Sequence, residues 1–173
     1  MGDSGQNLGV MLRRRRGGDP ELPEWERRFA AARDLIESER PPDWLSARLA
    51  DLHRALSRAA SDRDRLRASL ARLDLDRAGR ELKDALRSSR PGPDHDRLVD
   101  SLRQRYDSIH VLHNRAETLD LAIERALADL DVLSARAIGL SGRSEAWPLD
   151  EWTQGLADDM TALEMAHAEI ADL

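Results

Sequence analysis

The sequence predicts an all-α protein: a long antiparallel helical hairpin (a coiled coil) with two shorter helices packed on its open end to form a four-helix base. Three observations lead to this class. Apolar residues recur at alternating steps of four and three, proline-containing breaks separate the periodic stretches, and the two longest stretches are nearly equal in length. This period places one narrow apolar stripe along a helix, as in the seam of a coiled coil.

The clearest stripe extends from Leu98 to Leu140. Alternating steps of four and three meet thirteen positions there, and twelve of them are apolar, with Arg105 as the exception. The positions are Leu98, Leu102, Arg105, Ile109, Leu112, Ala116, Leu119, Ile123, Ala126, Leu130, Leu133, Ala137 and Leu140. A stripe of this length predicts one long helix whose seam is covered by a partner helix.

Prolines and glycines divide the chain. Residues 1–20 contain five glycines, four consecutive arginines and no helical period, which predicts a flexible basic tail. Residues 21–173 are predicted to form a single helical domain. Its first helix spans 21–40 and ends at Pro41-Pro42, because neither proline donates to the helical hydrogen-bond ladder. The stripe of this helix is Trp25, Phe29, Ala32 and Ile36.

The second and third predicted helices form the hairpin. Helix 43–90 begins with Asp43 as its N-cap and ends at Arg90-Pro91-Gly92-Pro93. Helix 94–139 follows, with Asp94 as its cap. Each has about 46 residues, roughly 70 Å at 1.5 Å per residue. The short connection between two such helices makes them antiparallel neighbours.

The fourth predicted helix spans 147–173. Because short connections join it and the first helix to the open end of the hairpin, both are predicted to fold back there and complete the base. Its stripe is Leu149, Trp152, Leu156, Met160, Leu163, Ala166, Ile170 and Leu173.

The seams of the hairpin match in an antiparallel register, in which Leu45 lies opposite Ala137. Nearer the turn, the second helix has one or two surplus residues between Leu66 and Leu75. A bulge, kink or overwinding is predicted there. Beyond it, the stripe of this helix continues as Leu75, Gly79, Leu82 and Leu86.

Arg63 interrupts the seam of the second helix, as Arg105 interrupts that of the third. A charge in a seam lowers stability unless it is paired or its stem reaches water. In the antiparallel register Arg63 lies near Glu117 and Asp120. We therefore predict that Arg63 reaches one of these carboxylates and helps to fix the register.

Composition narrows the function classes. Charged residues make up 35% of the chain and aromatic residues 3%, which is typical of long helices and not of compact α/β enzymes. The chain contains no cysteine, so disulfides and thiolate metal sites are excluded. No apolar stretch is long enough to span a membrane. The expected location is the cytoplasm of a bacterial cell, with a peripheral position at the inner membrane face as the alternative.

Candidate catalytic and metal sites are weak. His110, His113 and Glu117 have helical spacings that metal ligands use, but the facing helix supplies no further histidine. Solvated histidines therefore explain the pattern better. No phosphate-binding glycine loop, nucleophile elbow or zinc-protease motif is present. The sequence thus predicts no enzyme activity, no metal, no cofactor and no small-molecule substrate.

The predicted function is that of a coiled-coil adaptor, scaffold or accessory subunit that acts through protein–protein contacts. Apolar positions near the tip exceed what a two-helix coil can cover, which predicts a partner protein or a homodimer with a second chain antiparallel along the hairpin. The predicted contact residues are Leu70, Leu73, Val99 and Tyr106.

The alternative belongs to a different class, a peripheral membrane protein of the envelope-stress or membrane-remodelling type. Its contact with an anionic surface would be made by Leu12, Arg13, Arg14, Arg15 and Arg16. A liposome flotation assay with and without residues 1–18 separates the two classes. Nucleic-acid binding is disfavoured, because acids are interleaved with the arginines of the second helix.

Overall fold

The computed structural model of the chain describes residues 22–88, 92–140 and 149–171. Within these ranges all regular secondary structure is α-helical, which confirms the all-α class that the sequence predicts. None of these helices is long and apolar enough to cross a membrane. They are α1 (Glu24–Ser38), α2 (Asp43–Leu70), α3 (Leu75–Arg87), α4 (Pro93–Leu140) and α5 (Leu149–Ala171).

Prolines, and not the acidic residues that follow them, mark the starts of α2 and α4. The carbonyl of Pro42 accepts a hydrogen bond from the Leu45 N–H at 2.9 Å, so Asp43 is the first residue of α2 and not its N-cap. Asp94 likewise lies inside the first turn of α4, after Pro93. Pro42 directly precedes α2, whereas Pro93 is the first residue of α4, a position that suits proline because it has no N–H to satisfy. The prediction of Asp43 and Asp94 as caps is therefore wrong.

The second predicted helix is interrupted at residues 71–74, so the prediction of one helix over 43–90 is wrong. The interruption lies within the stretch where the surplus residues predict a bulge or kink. Asp74 caps α3, since its Oδ1 accepts a hydrogen bond from the Arg77 N–H at 2.8 Å. A complete break is tolerated because this cap and the turn hydrogen bonds of residues 71–73 satisfy backbone groups that leave the helix.

Packing divides the chain into two compact units, and the first comprises Met1–His53 and Ala126–Leu156. The whole predicted stripe of α1 is buried in it, and the His53 ring packs 4.9 Å from the Phe29 ring. Arg28 on α1 donates a hydrogen bond to Asp131 on α4 at 2.9 Å. Buried members of this core include Trp25, Phe29, Ala32, Ile36, Leu45, Leu49, Leu52, Leu130, Leu133, Ala137 and Leu156.

The second compact unit comprises Arg54–Arg125 and Ala157–Leu173. Its buried residues include Leu56, Ala59, Leu66, Ala78, Ala85, Ile109, Ala116, Leu119, Ile123 and Leu163. The predicted burial of Leu86 and Leu98 in the hairpin seam is wrong, because these side chains are 56% and 52% exposed. The break before α3 changes its helical phase relative to α2, so that Ala78 and Ala85 are buried in place of larger residues.

Candidate protein-interaction surface

The residues that the sequence predicts as a partner contact lie in the second compact unit. Leu73 is exposed, whereas Leu70, Val99 and Tyr106 are half-buried. The Tyr106 ring packs on Gly79 of α3, where an added Cβ would lie 3.3 Å from Tyr106 Cε2. The missing side chain at Gly79 lets the ring approach α3 closely. Tyr106 therefore joins α4 to α3 within its own chain, and only part of its ring is available to a partner.

Around Tyr106, α3 and α4 leave large apolar side chains incompletely covered. Each is half-buried or exposed, although steps of three and four place it on the stripe of its helix or beside that stripe. We call this surface the open apolar face. It comprises Leu75, Leu82 and Leu86 of α3 and Leu98, Val99, Leu102 and Tyr106 of α4. Sequence periodicity identifies most of these residues as apolar seam positions, but it gives no signal that the seam is uncovered here.

Charged side chains cover the sides of α3 and α4 that lie away from the open apolar face. The basic set is Arg80, Lys83 and Arg87 of α3, and the acidic set is Asp96, Asp100 and Asp107 of α4. All six are exposed, and their side chains form no hydrogen bond or ion pair within the part of the chain that the structure describes. Opposite charges are interleaved with each set: Glu81 and Asp84 on α3, and Arg97, Arg103 and Arg105 on α4.

An open groove of about 500 Å³ follows α4 next to the acidic set. Among the described residues its lining comes from one face of α4, in steps of three and four. The lining residues are Asp100, Arg103, Gln104, Asp107, Ser108, Val111 and Leu112. Val111 is 42% exposed in this groove. A helical face of this length with no packed neighbour among the described residues can accept a further helix.

The charge that interrupts the α4 seam is paired. Arg105 donates to Glu81 of α3 at 2.8 Å, and Arg77 donates to the other oxygen of the same carboxylate at 2.7 Å. The hydrogen bond from Arg77 lowers the pKa of the Glu81 carboxyl, and the charge of Arg105 acts in the same direction. The same bond raises the pKa of Arg77. Glu81 thus links α3 to α4 on an exposed surface.

The prediction that Arg63 reaches a carboxylate of the facing helix is confirmed for Asp120. Arg63 Nη1 lies 3.6 Å from Asp120 Oδ1, and Arg67 Nη2 lies 2.6 Å from Asp120 Oδ2. Arg63 also donates twice to its neighbour Asp64, from Nε at 2.9 Å and Nη2 at 2.8 Å. The guanidinium is therefore satisfied although its side chain is mostly covered.

The histidines with metal-ligand spacing have local partners. His113 Nε2 lies 3.3 Å from Glu117 Oε1, and His110 Nδ1 lies 3.2 Å from Asn114 Nδ2. The described residues contain no group of three or more histidine, aspartate or glutamate side chains that could hold a metal ion.

A buried carboxylate that sequence reasoning missed joins α2 to α5 in the second compact unit. Asp62 is buried, and its Oδ2 lies 2.5 Å from His167 Nδ1. His167 also borders a cavity of about 240 Å³, together with Arg58 and Glu164. A buried carboxylate is unfavourable unless it is hydrogen-bonded, so the imidazole stabilises the packing of α5 on α2. Two residues so distant in sequence give no local signal of this contact.

Leu12 and Arg13–Arg16, which the alternative prediction assigns to an anionic surface, lie outside the described residues. Comparison of the chain with protein-family models, with characterised proteins and with solved structures finds no match.

Proposed function

We propose that the protein is a non-enzymatic coiled-coil adaptor, scaffold or accessory subunit that acts through protein–protein contacts. The observation that carries this proposal is the open apolar face. Leu86 and Leu98 are more than half exposed, whereas Leu56 and Leu119 in the same compact unit are fully buried. Removing apolar surface from water gains about 25 cal/mol per Å². Coverage of this face by a partner helix is therefore favourable.

The architecture that we propose for this function is a long antiparallel hairpin with a four-helix base. Two cross-helix contacts support it. Asp120 of α4 pairs with Arg63 and Arg67 of α2, whereas Arg105, earlier in α4, pairs with Glu81, later in the chain. The partners of α4 therefore lie earlier in the chain as the position on α4 moves later. This order is typical of antiparallel neighbours. Segments of α1, α2, α4 and α5 in the first compact unit are the proposed base.

Three polar clusters of the described residues are assigned structural roles in this proposal. Glu81 joins α3 to α4, Asp120 joins α4 to α2, and the Asp62–His167 pair joins α2 to α5. Each cluster is explained by the helices that it connects. We therefore assign catalysis to none of these three clusters.

Affinity capture from the native host tests this function. The test variant is Leu86→Glu/Leu98→Glu, which places charges on the open apolar face. The matched control is Leu121→Glu, because Leu121 is 72% exposed on α4 but does not belong to that face. We expect the wild type and the control to retain the same partner, and the double variant to lose it. Identical captured proteins for all three chains would contradict the proposal.

A further inference from the structure

We infer that α3 is a lid on the start of α4. It undocks from α4 as a unit, while the packed parts of α2 and α4 in the second compact unit stay closed. The opening itself does not depend on the proposed function, whereas its consequence for a partner does. Three features carry the inference: the breaks that bound α3 in the chain, the small side chains that it buries, and the weakness of its contacts with α4.

Non-helical residues bound α3 on both sides. Asp74 before it and Ser88 after it have extended backbone angles, with ψ of 99° and 119°. Residues 71–74 are all exposed, so α3 can move without disturbing a buried connection. Because the helical hydrogen-bond ladder of α2 stops at this break, α3 must form its own first turn. A helix of 13 residues is marginal by itself in water, so α3 depends on its packing.

The side chains that α3 buries are small. In this helix, which the structure describes from end to end, the buried residues are Ala78 and Ala85. Its leucines are half-buried or exposed, and Leu86 is the most exposed of them. The stabilisation from apolar burial grows with the area removed from water. Segments with few buried apolar contacts open at the lowest free energy, and α3 is such a segment.

The contacts that join α3 to α4 are weak. Arg105 donates to Glu81 at 2.8 Å, but both side chains are partly exposed. An ion pair in that position contributes little, because water and salt screen its charges. The Tyr106 ring rests on Gly79, which has no side chain to interlock with it. These contacts determine where α3 docks, but they resist undocking only weakly.

Undocking of α3 would enlarge the open apolar face. The side of the Tyr106 ring that rests on Gly79 becomes accessible, as do the buried methyl groups of Ala78 and Ala85. A partner helix that contacts this additional surface binds the open form more tightly than the closed form, and therefore shifts the population toward it. This last step rests on the proposed function.

Thiol labelling of the full chain, which contains no cysteine of its own, measures the opening. Each protein carries one introduced cysteine, and iodoacetamide reacts with it when that position becomes accessible. The test positions on the lid are Ala78→Cys and Ala85→Cys. The matched controls are Ala59→Cys on α2 and Ala116→Cys on α4, because both alanines are buried in the same compact unit. Urea unfolding of each variant gives its global stability, so that the labelling rates are compared at equal stability.

The two lid cysteines should react at similar rates, and at least about tenfold faster than either control. Low concentrations of urea should accelerate them less than the controls, because undocking exposes less surface than global unfolding. If circular dichroism shows that a substitution unfolds the chain, hydrogen exchange of the wild type compares residues 75–87 with residues 52–66 in the same way.

Equal rates with equal urea dependence at all four positions would overturn the inference. A fast reaction at Ala85→Cys alone would also overturn it, because it would indicate fraying of the helix end. So would a fast reaction at Ala116→Cys, since α4 would then open as well. The capture experiment with Leu86→Glu/Leu98→Glu remains separate: fast labelling of the lid with unchanged capture would support the lid and contradict the proposed function, and the opposite pair of results would do the reverse.

Discussion

The two ends of α4 carry the same apolar rhythm but have different surroundings. From Ile109 to Ala137 most of the seam is buried, and Leu130 is 1% exposed. At the other end Leu98 is exposed and Leu102 is half-buried. An apolar period therefore specifies a helix and a stripe, but not how many helices cover that stripe. The coverage depends on the neighbours that the fold supplies.

The helices that neighbour the two ends of α4 differ in the size of the side chains that they contribute to the core. In the first compact unit, large residues of α1 and α2 such as Phe29 and Leu49 are buried in the same core as the end of α4. In the second unit, α3 contributes Ala78 and Ala85 to the core beside the start of α4. Small residues permit a close approach but cover little of the leucines around them. The start of α4 is therefore the part of the seam that is open to a partner.

Substitutions at the two ends of the α4 seam should differ most in their effect on stability. Leu130→Ala should destabilise the protein by about 2–5 kcal/mol, because it leaves a cavity in a packed core. Leu98→Ala should lower stability by less than about 1 kcal/mol at concentrations where the chain is monomeric, because the side chain is half in water. Urea unfolding of both variants measures the difference. Equal losses of stability would mean that the two ends of the seam are equally covered.

The break between α2 and α3 determines which face of α3 is buried. The contribution of the Asp74 cap to stability can be tested. Asp74→Ala should destabilise the protein by about 1 kcal/mol, because the Arg77 N–H loses its acceptor. Asp76→Ala is the matched control, since Asp76 is exposed in the first turn of the same helix. Thermal unfolding compares the two. If both variants unfold at the same temperature as the wild type, the Asp74 cap does not stabilise the break.

The pairing of Asp120 tests the register between α2 and α4. Asp120→Asn should lower stability by about 0.5–1 kcal/mol, because both Arg63 and Arg67 lose a charged partner. Asp64→Asn serves as the control, since Asp64 pairs with Arg63 from the adjacent position and joins no second helix. Salt screens the charges, so denaturant titration should show a smaller loss of stability for Asp120→Asn at high salt than at low salt. A loss that salt does not change would indicate packing and not charge as its cause.

The smallest expected effect is the pH dependence at Glu81. Because the hydrogen bond from Arg77 lowers the pKa of Glu81 in the folded chain, this pair contributes stability above the ordinary pKa of a glutamate. The contribution is lost as the pH falls through the lowered pKa. Glu81→Gln should therefore lose less stability than the wild type between about pH 6 and pH 3, where carboxylates with ordinary pKa values near 4.3 become protonated. If the wild type and Glu81→Gln lose the same stability over this pH range, the protonation of Glu81 is not coupled to folding.

Much of the fold can be predicted from the sequence, because helices and their apolar faces are local properties. The stripe of α1 is buried as predicted, and the pairing of Arg63 with Asp120 follows from matching two seams. The surplus residues before Leu75 also place the disturbance of the second helix correctly.

The rest depends on contacts that are distant in sequence. The count of surplus residues could not distinguish a kink from a complete break, because the Asp74 cap makes the break stable. The burial of Ala78 and Ala85 follows from the phase that this break sets. The candidate surface was predicted through Val99 and Tyr106, but Leu86 and Leu98 were assigned to a closed seam. Only the packing of α3 on α4 reveals that this seam is open.

The accessibility of Leu98 shows whether the start of the α4 seam is uncovered. It can be measured by thiol labelling, because the chain contains no cysteine and a single one can be introduced. The measurement is the rate of thiol labelling of Leu98→Cys and of Leu130→Cys, each over a range of protein concentrations. We expect Leu98→Cys to react fast in dilute solution, because Leu98 is 52% exposed. Leu130→Cys should react slowly at every concentration. A labelling rate at Leu98→Cys that matches Leu130→Cys in dilute solution would show that the start of the α4 seam is as well covered as its end.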